Sequence, residues 1–160
     1  MSAFEDLSPG SRLAIGSHHF SAENIRSFAQ RFDPQPCHLD EAAAARSPFG
    51  ALRASDWHVA VAWMPLLVAY RAQLVARARA RGDAEPLFGP SPGVADLKWF
   101  GPVLAGDTVT YTSEVTGLRR SARRPGWSLL TLHTVGVNQR GETVISFINT
   151  IFASDRGATA

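Results

Sequence analysis

The hydrophobic rhythm of the chain changes partway along. Up to about residue 81, apolar residues recur at helical spacing and alanine is abundant; beyond residue 93, β-branched and aromatic runs alternate with glycine and proline. Residues 12–20 read as a first strand behind the turn-forming Ser8-Pro9-Gly10. Ser21 can cap a helix in which Ile25, Phe28, Ala29 and Phe32 fall at i, i+3, i+4 and i+7 and so share one face. That pattern stops at Asp33-Pro34-Gln35-Pro36, where two prolines oppose further helix, and residues 33–38 are expected to form a loop. Asp40 can cap a short helix over residues 41–46, which Ser47-Pro48-Phe49-Gly50 breaks.

The longest helical candidate spans residues 55–81 and is apolar nearly all round from Trp57 to Val68, so protein is expected on every side of it. Pro65 predicts a kink or local break, and the arginines near its end suit the negative pole of the helix dipole. After a proline- and glycine-rich loop over 82–92, strand-like runs follow at 93–100, 108–117, 127–137 and 143–153. The links 101–107 and 138–142 have turn chemistry, and consecutive strands with short links are most simply antiparallel neighbours. The pattern predicts an α+β fold, one domain over residues 1–160, with an antiparallel sheet of about five strands wrapped around a long central helix.

Composition narrows the function. With 45% hydrophobic and 19% charged residues the chain can build one ordinary core. Sixteen basic against fourteen acidic residues leave a charge of +2, too little to point to nucleic acid. The clusters Arg71, Arg77, Arg79, Arg81 and Arg119, Arg120, Arg123, Arg124 read first as solvated surface and second as partners for a phosphate-rich ligand such as coenzyme A. No aromatic residues are interleaved with them as a nucleic-acid stacking platform needs. The single cysteine, Cys37, excludes an intrachain disulfide. The first ten residues carry Glu5 and Asp6 and lack the apolar run of a secretory signal, and the apolar stretch 59–69, interrupted by Pro65, is short for a bilayer span. A cytoplasmic location with no membrane association is expected.

The candidate chemistry lies in the run from Phe28 to His38. It sets Asp33 and His38 five residues apart in a proline-stiffened loop, where ordering two polar groups toward one point costs less chain entropy. An imidazole can take or give a proton near neutral pH while a carboxylate orients a water or accepts a proton; the alternative is a loop-capping aspartate beside a surface histidine. Ser55 can be a helix cap, the more ordinary job, or a pocket hydroxyl. Trp57 and His58 read as core residues rather than ligands, although helix register could turn His58 toward Asp33 or His38. His18 and His19 point to opposite faces of a strand, His133 stands alone, and no HExxH or Cys/His cluster occurs, so no metal is expected. A thiol nucleophile at Cys37 is the weakest of the enzymatic readings.

The run Asp33-Pro34-Gln35-Pro36-Cys37-His38 resembles the D-x-N-P-[aliphatic]-H signature of the MaoC-like (R)-specific enoyl-CoA hydratases. Phe28 stands at an aromatic position of that motif, and Ala43, Phe49, Leu52, Ala54 and Ser55 follow its spacing toward the central helix. The segments Leu97 to Val103 and Ala105 to Val109 look like that family's aromatic-x-x-P-V-x-x-G-D-T strand and turn, and the likeness runs roughly from Phe4 to Phe152. The resemblance implies a hot-dog fold, a homodimer or higher homo-oligomer, and reversible hydration of a trans-2-enoyl thioester, on coenzyme A or an acyl carrier, to the (R)-3-hydroxyacyl product. It implies no cofactor beyond the coenzyme A of the substrate. By the same resemblance Asp33 and His38 activate the water, and a backbone N–H at the start of the central helix, where the family usually has His-Gly, stabilises the oxyanion.

Here that dipeptide is Ser55-Asp56, and the asparagine and aliphatic residue of the signature are Gln35 and Cys37. The amide of Asp56 remains, but its side chain opposes the chemistry unless it points away or is paired. Two alternatives follow: an acyl-CoA thioesterase, whose water attacks the thioester carbonyl, and a non-catalytic acyl-ligand-binding subunit that has lost its oxyanion donor.

Overall fold

In the computed structural model, which describes residues 7–154, a six-stranded antiparallel sheet curls over one long helix. The expectations that fell on the first six residues lie outside the described part. Strand β1 (Arg12–His19) pairs with β4 (Thr108–Arg120), followed by β5 (Ser128–Asn138) and β6 (Thr143–Ser154). The outer edge of β6 is shared by β3 (Gly93–Trp99) and the two-residue β2 (Leu87–Phe88), the latter lying inside the segment expected to be all loop. The 101–107 link is therefore no hairpin: it carries the chain from β3 at one edge to β4, beside β1 and β5, so these consecutive strands are not neighbours.

Helix α1 (Ala22–Phe32) starts as its sequence demands, with the Ser21 hydroxyl accepting the Asn24 N–H at 3.1 Å. Ile25 and Ala29 are buried, whereas Phe32, in the final turn, is 69% exposed and the expected four-residue apolar face ends before it. The proline-rich segment is not wholly loop. Pro36, at the first helical position where its missing N–H costs nothing, opens one turn, α2 (Pro36–Leu39). Asp40 then caps α3 (Glu41–Ala45) through the Ala43 N–H at 2.6 Å.

The central helix is broken at Ala62 into α4 (Asp56–Val61) and α5 (Trp63–Arg81). Pro65 sits in the first turn of α5, where it has no N–H to give to the carbonyl four residues earlier. Trp63, Leu67, Leu74 and Ala78 face the sheet, with Trp63 edge-on to Phe147 at 4.9 Å. Tyr111, fully buried, ties sheet to helix by donating to the Val59 carbonyl at 2.7 Å, and burial pushes its phenol up. Close approach needs Gly136, since a Cβ there would stand 2.6 Å from Ile145.

The helix is not surrounded as its apolar circumference predicts. The sheet covers one side, while Trp57 (58%), Val61 (48%), Met64 (47%) and Val68 (55%) are exposed in the single chain. From Asp56 to Arg81 the helix is long and apolar enough to cross a membrane, a length the apolar count over 59–69 understated; here it lies against the sheet as a core element.

Candidate active site

Asp33 ends α1, its N–H bonded to the Ala29 carbonyl at 3.0 Å. The two prolines then turn the chain, and the single turn α2 swings His38 back so that its Nε2 lies 3.4 Å from Asp33 Oδ2. The His38 ring is buried, its side chain 3% exposed, and the Asp33 side chain is 17% exposed, so the pair opens to solvent from the carboxylate side. The acid and the imidazole therefore face one point.

Asp33 is held by two donors and His38 by an acceptor. Ser55 donates its hydroxyl to Asp33 Oδ2 at 2.6 Å, and Gln35 Nε2 donates to Oδ1 at 2.7 Å. Burial works against the Asp33 charge, but these two bonds, with His38 and Arg53 nearby, prevail and hold its carboxyl below the usual range. On the other side of the ring, His38 Nδ1 lies 2.9 Å from the Arg53 carbonyl. A carbonyl only accepts, so Nδ1 carries the proton, and in the neutral ring Nε2 is left as a base toward Asp33. Cys37 Sγ is 3.8 Å from the same Nδ1, which the carbonyl already engages.

The aromatic-x-x-P-V-x-x-G-D-T stretch explains how the Arg53 carbonyl reaches its place. Residues 52–54 run as an extended rung, with Ala54 N–H on Val103 O at 2.8 Å and Ala105 N–H on Leu52 O at 2.9 Å. Asp107, buried, fixes that rung by accepting the Leu104 N–H at 2.9 Å and pairing with Arg140 at 2.9 Å. Gly106, at φ +94°, makes the turn and donates to Phe20 O. The motif thus acts as a clamp on the segment that carries the Arg53 carbonyl.

The remaining candidates divide. Ser55 stands at the cap position of α4 but makes no capping bond; its hydroxyl serves Asp33, which corrects the more ordinary expectation. Asp56, the first residue of α4, turns its carboxylate to a close ion pair with Arg53, and its carbonyl accepts Trp99 Nε1 at 2.8 Å. The condition set by the sequence, that Asp56 be paired, is met. Trp57 is not core: it is exposed, edge-on to Trp99 at 5.2 Å, and lines an apolar cleft of about 350 Å³ with Val61, Met64, Val94, Leu97 and Phe147.

His58 is core, as expected, and does not reach Asp33 or His38. It stacks on Phe28 at 4.5 Å and meets Phe20 and His18 edge-on. Burial, with His18 beside it, pushes its imidazole down to about 4. Arg53, Gln35 and Trp99 went unremarked as site residues. The available signal was an arginine three residues before Asp56, opposite charges at the approach to a helix.

A sheet curled over a long helix, with a carboxylate and an imidazole converging beside the helix start, defines a hot-dog domain. Comparison with known proteins places it more closely. The family described as "FAS1-like, dehydratase domain region" matches residues 8–147. A MaoC-like dehydratase from Rhodospirillum rubrum is 35% identical with a TM-score of 0.78, over 95% of this chain and 96% of that one. An (R)-hydratase from A. caviae involved in PHA biosynthesis is 25% identical with a TM-score of 0.65, over 92% and 97%. The chain belongs to the FAS1-like dehydratase domain region family and is a relative of the MaoC-like dehydratases. A mesaconyl-CoA hydratase from Cereibacter sphaeroides is 32% identical over 68 residues, 42% of this chain, and the chain spans only 20% of that relative's length.

Proposed function

We propose that this protein reversibly hydrates a trans-2-enoyl thioester, carried on coenzyme A, to the (R)-3-hydroxyacyl thioester. The observation that carries the reading is the 3.4 Å approach of His38 Nε2 to Asp33 Oδ2, with Nδ1 committed to the Arg53 carbonyl. With the ring neutral, both facing atoms are acceptors, so a water set against them donates one hydrogen to each. Asp33, held anionic by Ser55 and Gln35, orients the water, and Nε2 takes its proton as the oxygen bonds to C3. The π electrons of C2=C3 move toward the thioester oxygen, and the proton is returned at C2, so the water is added whole. Negative charge builds on the thioester oxygen, and the first amides of α4, including that of Asp56, supply donors and the positive pole of the helix.

The apolar cleft lined by Trp57 suits the acyl chain. Membership of a dehydratase family supports the reaction class, as does likeness to the A. caviae (R)-hydratase and the C. sphaeroides mesaconyl-CoA hydratase. Loss of enoyl-thioester absorbance on adding purified protein tests the proposal. Asp33→Asn and His38→Ala are each expected to lower kcat by about 10²- to 10⁴-fold with the fold retained. Free-thiol release from a saturated acyl-CoA, with no loss of enoyl absorbance, would instead make the protein a thioesterase.

We further propose that the working unit is a homodimer. The open edge of β3 and the exposed Trp57, Val61, Met64 and Val68 of the central helix, with Val94 (55%) on β3 and Phe100 (58%) just after it, are apolar surface of a kind soluble chains cover with a partner.

A further inference from the structure

Arg53 is a cation near enough to Asp33 to favour its charge, yet its guanidinium is paired with Asp56. Its side chain is only 12% exposed, its Nη2 meets the Asp56 carboxylate, its carbon lies 4.2 Å over the Phe49 ring, and its Nε is buried without a partner. Its backbone is bound on both sides, N–H to Cys37 O at 3.3 Å and C=O to His38 Nδ1 at 2.9 Å. Asp56 is the more exposed partner at 43%, on the first residue of the helix whose start faces the pair.

Resting on the hydration reading above, we propose that Arg53 and Asp56 form a matched pair of positioning residues. The guanidinium cancels the Asp56 charge beside the site of oxyanion development, and Asp56 anchors the guanidinium so that it cannot clasp Asp33. A lone carboxylate here repels the developing oxyanion, and a lone buried guanidinium seeks the nearest anion. The groups facing Asp33 are His38 from α2, Gln35 before it, and Ser55 and Arg53 from the rung preceding α4. A freed guanidinium therefore has Asp33 as an acceptor, and closing on it would block the water position. Each residue is harmful without the other, and removing both is milder than removing one.

The test is a double-mutant cycle on the full chain with Arg53→Met, Asp56→Ala and the double variant. Each single change is expected to lower kcat/KM about tenfold or more, and the double variant to return within about threefold of wild type. A second readout needs no turnover: the Asp33 carboxyl titration followed by carbon NMR. It is expected to move to higher pH in Arg53→Met, which loses a cation, and to lower pH in Asp56→Ala, which frees one. Losses that multiply in the double variant, or shifts in the same direction or absent in both singles, would overturn the pair. If wild type hydrates no thioester, the hydration reading fails while the Asp33 titration still decides the pair. Should Arg53→Met not fold, Arg53→Gln with and without Asp56→Ala carries the same comparison, because glutamine is uncharged yet keeps a polar end for the buried position.

Discussion

Ser55 shows how a single hydroxyl sets a working range. Its 2.6 Å bond to Asp33 Oδ2 favours the charged carboxylate, and Gln35 repeats the favour on the other oxygen. Removing that donor removes support for the anion alone, so Asp33 becomes easier to protonate. Ser55→Ala is expected to shift the acid limb of the kcat/KM pH profile to higher pH, with the alkaline limb unmoved. An unmoved acid limb would mean that the hydroxyl serves only packing. The same residue shows why site chemistry was partly hidden: serine before a helix reads as a cap, and only the return of α1 beside α4 gives it a better acceptor.

Among the elements, the contact of α1 with α4 rests on an aromatic box that contains a histidine. His58 lies between Phe28, Phe20 and His18, 6% exposed, its Nδ1 without a partner, and burial with His18 nearby pushes its imidazole down to about 4. The unfolded chain protonates this group near 6.5 while the folded chain resists until about 4. Stability from the neutral ring is therefore complete above the unfolded value and is lost as pH falls through that window, by at most about 1.4 kcal/mol per pH unit. Urea midpoints measured between pH 7 and pH 4.5 are expected to fall more steeply for wild type than for His58→Phe; parallel slopes would remove His58 as the cause. In the sheet, Gly136→Ala is expected to destabilise by about 1–3 kcal/mol, because its Cβ has no room against Ile145 and Val109. A thermal melt measures that loss.

At the scale of the whole molecule, the unmet feature is the open side of the central helix. In the proposed homodimer its stripe and the edge of β3 are what a second copy covers, and introducing charge there opposes burial. Met64→Lys with Val68→Asp is expected to convert a dimer of the chain to monomer, read by light scattering after size exclusion. A wild-type monomer at micromolar concentration would refute the dimer. The two arginine clusters have different surroundings. Arg79 and Arg81 pair with Glu85 and Asp83 near the end of α5, while Arg124 lies over Phe152 at the β4–β5 turn, and neither cluster lies beside Asp33.

The elements were legible because their signals are local: Ser21 and Asp40 as caps, Pro34 and Pro36 as a stop, and β-branched and aromatic runs bounded by turn residues for five of the six strands. The spacing of Asp33 and His38 left a loop cap beside a surface histidine open, and it was the likeness of residues 33–38 to a family signature that pointed to the pair. Tertiary structure alone decided what joins distant segments. It set β3 on β6 rather than beside β4, gave Ser55 to Asp33, brought the Arg53 carbonyl to His38, and left one side of an all-apolar helix uncovered. Periodicity reports which faces avoid water, but which partner covers each face depends on contacts between residues far apart in the chain.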